Sequence, residues 1–109
     1  MIENKEKTNL ENCFELYMTE ACHLCEEATA VLNDLHSQML VLADEARYPV
    51  PESGIFVIEK LDITEHESLF EAYGKRIPVL IFAATGDELA WPFDIQQAYE
   101  FIFPKLTLI

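Results

Sequence analysis

Cys13-Phe14-Glu15-Leu16-Tyr17-Met18-Thr19-Glu20-Ala21-Cys22-His23-Leu24-Cys25 is the stretch on which the fold turns. Its first half alternates. Phe14, Leu16 and Met18 fall on one face of an extended chain, which predicts a short strand over residues 13–18. From His23 onward the period changes. Leu24, Ala28, Val31, Leu32, Leu35, Met39 and Leu42 recur at spacings of three and four, with no Pro or Gly between them. That spacing predicts an amphipathic helix over residues 23–42, ending near Ala43. A strand therefore runs straight into a long helix, and two cysteines stand at the junction.

Downstream, Tyr48-Pro49-Val50-Pro51-Glu52-Ser53-Gly54 reads as a loop, punctuated by two prolines and a glycine. Residues 55–63 read as a second strand, and the run Ile55-Phe56-Val57-Ile58 suits one buried on both faces, as in a parallel sheet. Thr64, with Glu67 three residues on, has the pattern of a capping box for a helix that runs to Tyr73 and stops at Gly74. Residues 79–83 form an apolar third strand. Ala84-Thr85-Gly86-Asp87 turns the chain, and residues 88–91 pair back as a hairpin. Asp94 caps a last helix with Ile95, Ala98, Tyr99 and Ile102 facing inward, and Pro104 ends it. The order is β-α-β-α-β-β-α. Two βαβ-like crossings followed by a hairpin predict an α/β fold with a central mixed sheet flanked by helices. Residues 1–11 are polar and are expected to be frayed, leaving residues 12–109 as one domain.

The 109 residues are 50% hydrophobic, enough to build a core without disulfides or metals. Seven basic residues against twenty acidic ones give a net charge of −13. That balance argues against nucleic acid or an anionic membrane as a partner and favours basic ones. The start, Met1-Ile2-Glu3-Asn4-Lys5-Glu6-Lys7, lacks the apolar centre of a signal peptide, and no run is long enough to span a bilayer. The cytoplasm is the expected compartment and a monomer the expected state. Three cysteines are too few for a secreted disulfide scaffold, and in a reducing compartment a close pair points to catalysis or metal binding.

Cys22-His23-Leu24-Cys25 carries the chemistry. At a helix start the unpaired N–H groups and the dipole favour a thiolate, the species that attacks disulfides. Cys25 lies three residues before Ala28 and seven before Leu32, on the inward stripe, whereas Cys22 lies at the open tip. An exposed attacker followed by a buried resolver is what disulfide exchange requires. Glu20, Glu26 and Glu27 oppose activation, and no Lys or Arg is adjacent in sequence. His23 helps only when protonated and otherwise stands in solvent. Two rival readings stay open. The thiolates could bind a metal or iron–sulfur cluster, with His23 and a distant His36 or His66 completing the ligands of a zinc site. Alternatively, the domain could be a redox-inactive binding module. Cys13 and Trp91 read as core, and Leu106-Thr107-Leu108-Ile109 as an apolar tail that packs or joins another chain.

The segment Leu16 to Cys25 resembles the active-site entry of thioredoxins and glutaredoxins. Arg76-Ile77-Pro78-Val79-Leu80-Ile81-Phe82, followed by Gly86, resembles their cis-proline strand and hairpin. Residues 61–80 are similar to a branch of small glutaredoxin-like proteins, and the likeness covers roughly residues 13–103. The resemblance implies a thioredoxin-like fold and thiol–disulfide oxidoreductase activity on a protein disulfide or dithiol, with glutathione as a further candidate co-substrate and no bound cofactor. It implies that Pro78 is cis and packs on the Cys pair, and that the Ile77 backbone pairs with an extended substrate. Arg76, two residues before that proline, would then lie near the site and answer its carboxylates or hold a substrate carboxylate. The sequence departs from the pattern in several places. His-Leu replaces Pro-Tyr between the cysteines, Gly86-Asp87 replaces the Gly-Gly of the glutathione cradle, and Glu20 stands where a basic residue is usual. Ala21 and Leu16 occupy the positions of the thioredoxin Trp and buried acid.

Overall fold

The structure is a computed structural model that describes residues 11–107. The segment read as frayed, apart from Glu11, and the last two residues of the apolar tail lie outside the described residues.

The chain runs β1 (Cys13–Met18), α1 (His23–Glu45), β2 (Val57–Asp62), a 3-10 turn (Ile63–Glu65), α2 (Glu67–Tyr73), β3 (Val79–Phe82), β4 (Glu88–Ala90), α3 (Ile95–Ile102) and a second 3-10 turn (Phe103–Lys105). The strands form one sheet in the order β2-β1-β3-β4. β1 pairs with β2 in parallel, Leu16 opposite Lys60, and with β3 antiparallel, Leu16 opposite Leu80. β3 and β4 close the antiparallel hairpin. The expected order and the mixed sheet are therefore both present. Parallel pairing of β1 and β2 needs a crossover, and α1 supplies it.

Alternation in β1 buries Phe14 and Leu16 completely. Phe14 is the hub of an aromatic cluster, with ring centres 5.0 Å from Phe82, 6.0 Å from Phe56 and 6.2 Å from Phe101. α1 lays Ala28, Leu32, Leu35 and Met39 into this core and packs against α3, which contributes Ala98 and Ile102. β3, which lies between β1 and β4, is buried at every position.

Several expectations need correction. Leu24 and Leu42, read as part of the inward stripe, are exposed, and the buried stripe of α1 is Cys25, Ala28, Leu32, Leu35 and Met39. β2 is not buried on both faces. It is an edge strand with Val57, Glu59 and Lys60 exposed, and the buried residue of its apolar run is Phe56, just before it. Thr64 does not cap α2. Asp62 instead caps the short 3-10 turn, accepting the Thr64 N–H at 3.0 Å, and α2 starts after His66 without a side-chain cap. Tyr99 is exposed and stacks on Phe103 at 5.2 Å rather than facing the core, and Cys13 and Trp91 are only half-buried.

Candidate active site

The junction between β1 and α1 is a tight bend. Ala21 takes φ +59°, a left-handed conformation that costs a residue with a Cβ roughly 1 kcal/mol. Cys22 follows in an extended conformation as the N-cap of α1. Its Sγ accepts the Cys25 N–H at 3.1 Å and its carbonyl accepts the Glu26 N–H at 3.1 Å. Sulfur thus sits where Ser, Thr or Asp oxygen ordinarily closes a helix, at the positive end of the dipole.

Cys22 and Cys25 are joined as a disulfide, with Cα atoms 5.2 Å apart. Their surroundings differ. Cys25 is 3% exposed, on the same buried stripe as Ala28 and Leu32, while Cys22 is half-buried. The Thr29 hydroxyl donates to the Cys25 carbonyl at 2.9 Å and steadies the first turn. A cleft of about 330 Å³ opens beside the pair. Met18, Thr19, Glu20 and Ala21 form its wall along the strand exit, Cys22, Cys25, Glu26 and Thr29 its helix side, and Lys60 reaches it from β2.

Lys60 is the residue that reading the sequence missed. It lies thirty-five residues from Cys25, and only the parallel register of β1 and β2 brings it to the cleft. It supplies the cation that no sequence neighbour of the cysteines provides. His23 is exposed, with its imidazole 3.0 Å from Glu27 and 3.9 Å from Glu26 on the next turn of α1. When protonated it faces those carboxylates rather than the sulfurs.

The Arg76-Ile77-Pro78 segment is built separately. The Ile77–Pro78 peptide is cis, Pro78 is fully buried, and its carbonyl accepts the Trp91 N–H at 3.1 Å. A second cis peptide, Trp91–Pro92, lies across the hairpin. None of Arg76, Ile77 and Pro78 lines the cleft. Arg76 does not answer Glu20, Glu26 or Glu27. Its guanidinium donates to Glu88 at 2.6 Å and lies 4.8 Å above the Tyr73 ring. The Tyr73 hydroxyl donates to the same carboxylate, and Tyr17 meets the Tyr73 ring edge-on at 4.9 Å. These contacts hold the Glu88 carboxyl below its ordinary range, the Tyr73 hydrogen bond first and the Arg76 bond second. Glu88, directly across the hairpin from Ile81, is the ion-pair partner of Arg76 at 2.6 Å.

Among the described residues no group of three His, Cys, Asp or Glu is placed to hold a metal ion. His36, one of the sequence's candidate ligands, has its Nε2 engaged by the Ile55 N–H at 3.0 Å. Cys13 lies on β1, and burial, then Glu59 and Glu15, push its thiol up and away from reactivity. No helix among the described residues is long and apolar enough to cross a membrane.

Comparison with known proteins agrees with this construction. No curated protein matches the chain significantly. The X-ray structure of XcR50, a structural-genomics target from X. campestris, superposes with a TM-score of 0.59 at 28% identity, covering 84% of this chain and 96% of that one. The solution structure of XcR50 gives 0.58 at 28% identity, with 84% and 92% covered. The model of the glutaredoxin-like domain (DUF836) matches residues 14–103, from the first core residue of β1 to the end of α3. A matched stretch of that length, containing the disulfide-linked pair at a strand–helix junction and the whole mixed sheet, settles the family: the chain belongs to the glutaredoxin-like domain (DUF836) family, within the thioredoxin-like superfamily.

Proposed function

We propose that this chain is a thiol–disulfide oxidoreductase in which Cys22 attacks and Cys25 resolves. The observation that supports the reading is the asymmetry of the pair. Cys22 caps α1 at the edge of an open cleft, and Cys25 is 3% exposed behind it. In the reduced protein the Cys22 thiolate attacks one sulfur of a substrate disulfide. A Cys22–substrate disulfide forms and the other substrate sulfur leaves as a thiolate. Cys25, deprotonated, then attacks Cys22 Sγ. The Cys22–Cys25 disulfide forms and the second substrate thiolate leaves. The substrate gains two electrons and the chain loses two, so an external dithiol must reduce it again.

The substrate in this reading is a protein disulfide. Glu20 and Glu26 line the cleft, and Arg76 is committed to Glu88, so an anionic tripeptide such as glutathione meets repulsion with one cation, Lys60, to offset it. The Ile77 backbone would pair with an extended substrate segment, a contact indifferent to charge. His23, on the exposed first turn, would touch the substrate only at its margin. The chain would act as a monomer in the cytoplasm, where a reducing pool restores the dithiol.

The test is chemical trapping. Cys25→Ser should accumulate a mixed disulfide on Cys22, identified by mass spectrometry, and Cys22→Ser should not. Titration against glutathione and dithiol buffers should show the pair cycling between dithiol and disulfide. A pair that does not cycle would return the chain to the class of binding modules. Saturable, salt-insensitive turnover of a glutathione mixed disulfide would refute the preference for protein substrates.

A further inference from the structure

His36 stands halfway along α1, roughly 16 Å along the helix axis from Cys25, and takes no part in the cleft. Its Nε2 accepts the Ile55 N–H at 3.0 Å and its ring meets Phe56 edge-on at 4.7 Å. Gly54 approaches so closely that a Cβ there would lie 2.7 Å from His36 Cε1, and its φ of +98° also excludes other side chains. The Gly54 N–H closes a turn onto the Pro51 carbonyl at 2.9 Å. The imidazole is therefore the post to which the 51–55 turn is fastened.

That turn is one wall of a second cavity. An apolar groove of about 450 Å³ lies between the loop, with Tyr48, Val50, Pro51 and Ile55, and the helices, with Leu42 and Phe103. Ile55 belongs to both structures: its N–H is held by His36 and its residue lines the groove.

An imidazole nitrogen accepts a hydrogen bond only when unprotonated, and both nitrogens of the imidazolium are donors. We propose that His36 is a proton-operated latch, whose protonation releases the Ile55 N–H and frees the loop wall of the groove from α1. Charges around it do not complicate the switch. One turn away on α1 stand Leu32, Asn33, Met39 and Leu40, and the facing residues are Gly54, Ile55 and Phe56. Glu52 on the turn is exposed. Burial alone pulls the His36 pKa below its ordinary 6.5. The sign follows from linkage. The released state binds a proton at the ordinary value and the latched state only at lower pH. Latching is thus at full strength above 6.5 and weakens as pH falls below it.

Amide exchange in the intact chain tests this. His36 titration is followed by NMR between about pH 7.5 and 5, together with protection at Ile55 and at Leu16 in the middle of the sheet. After correction for intrinsic exchange, Ile55 protection should fall by up to about tenfold per pH unit through the window, with Leu16 unchanged. The Ile55 amide shift should follow the His36 midpoint. His36→Gln, which keeps an acceptor but does not titrate, should flatten the dependence. Three results would overturn the latch: Ile55 protection that ignores His36 titration, the same pH dependence in His36→Gln, or Ile55 and Leu16 opening together. If His36→Gln does not fold, the comparison of Ile55 with Leu16 in the unaltered chain decides alone.

Discussion

The N-terminus of α3 is closed by oxygen. Asp94 accepts the Gln97 N–H at 2.8 Å, and the Gln97 side chain accepts the Asp94 N–H at 3.0 Å, completing a capping box. The N-terminus of α1 is closed by sulfur, with Cys22 accepting the Cys25 N–H at 3.1 Å after a left-handed Ala21. Sulfur is the weaker acceptor. α3 has 8 residues and depends on its ends, as short helices do. α1 has 23 residues and a stripe of five buried side chains, so packing maintains it whatever caps it. The cysteine pair thus stands at the helix that depends less on its cap. A helix secured by packing tolerates the weaker sulfur cap at its positive end.

The largest effect is expected when the start of α1 is made to resemble that of α3. Cys22→Ser places an oxygen cap on α1. Disulfide reductase activity should fall on the order of 10³-fold or more, while stability by denaturant titration should change by no more than about 1 kcal/mol. A loss of folding would show that the disulfide, not packing, secures this end. At the other helix, Asp94→Ala should cost about 1 kcal/mol and lower Tm by roughly 4–8 °C, with activity per folded molecule unchanged. Reduced activity there would mean that α3 supports the site directly.

Smaller effects sharpen the electrostatic side. Lys60→Met should slow alkylation of reduced Cys22 at neutral pH by about 2- to 5-fold, because the cleft loses its cation and keeps Glu20 and Glu26. An unchanged rate would leave the helix end as the main source of thiolate character. The smallest effect is expected from Glu88→Gln. The Glu88 carboxyl lies below its ordinary 4.5 in the folded chain, so its contribution is present above that value and is lost as pH falls through the folded value. The variant should lose slightly less stability on acidification than the parent, measured as Tm against pH from neutral down to about pH 3.

Much of the architecture was legible because its signals are local. The period of three and four in α1, the alternation in β1, the unbroken apolar run of β3 and the Asp94 cap each depend on neighbours within a turn or two, and all four elements are present, with Leu24 and Leu42 outside the buried stripe of α1. Where local signals compete, the tertiary structure decides between them. Thr64 and Glu67 have capping-box spacing, but Asp62 stands two residues before Thr64 and captures its N–H first. Ile55-Phe56-Val57-Ile58 is apolar enough for a central strand, yet burial depends on what lies on either side, and β2 has a neighbour on one side only.

The Cys22–Cys25 pair, its place at the start of a long helix and the inward position of Cys25 were determined by the sequence itself. Spacing along a helix sets both the separation and the face of its residues. The tertiary structure decided which charges those sulfurs meet. Parallel pairing of β1 with β2 carries Lys60 to the cleft across thirty-five residues. The β3–β4 hairpin gives Arg76 to Glu88 and takes it from the cysteines. The crossover loop brings Ile55 back onto His36 in mid-helix, turning a candidate ligand into a backbone acceptor. Each of these depends on the register of segments distant in the chain. Pairwise Coulomb and hydrogen-bond energies act over a few ångströms, so their partners exist only once the sheet has brought the segments together.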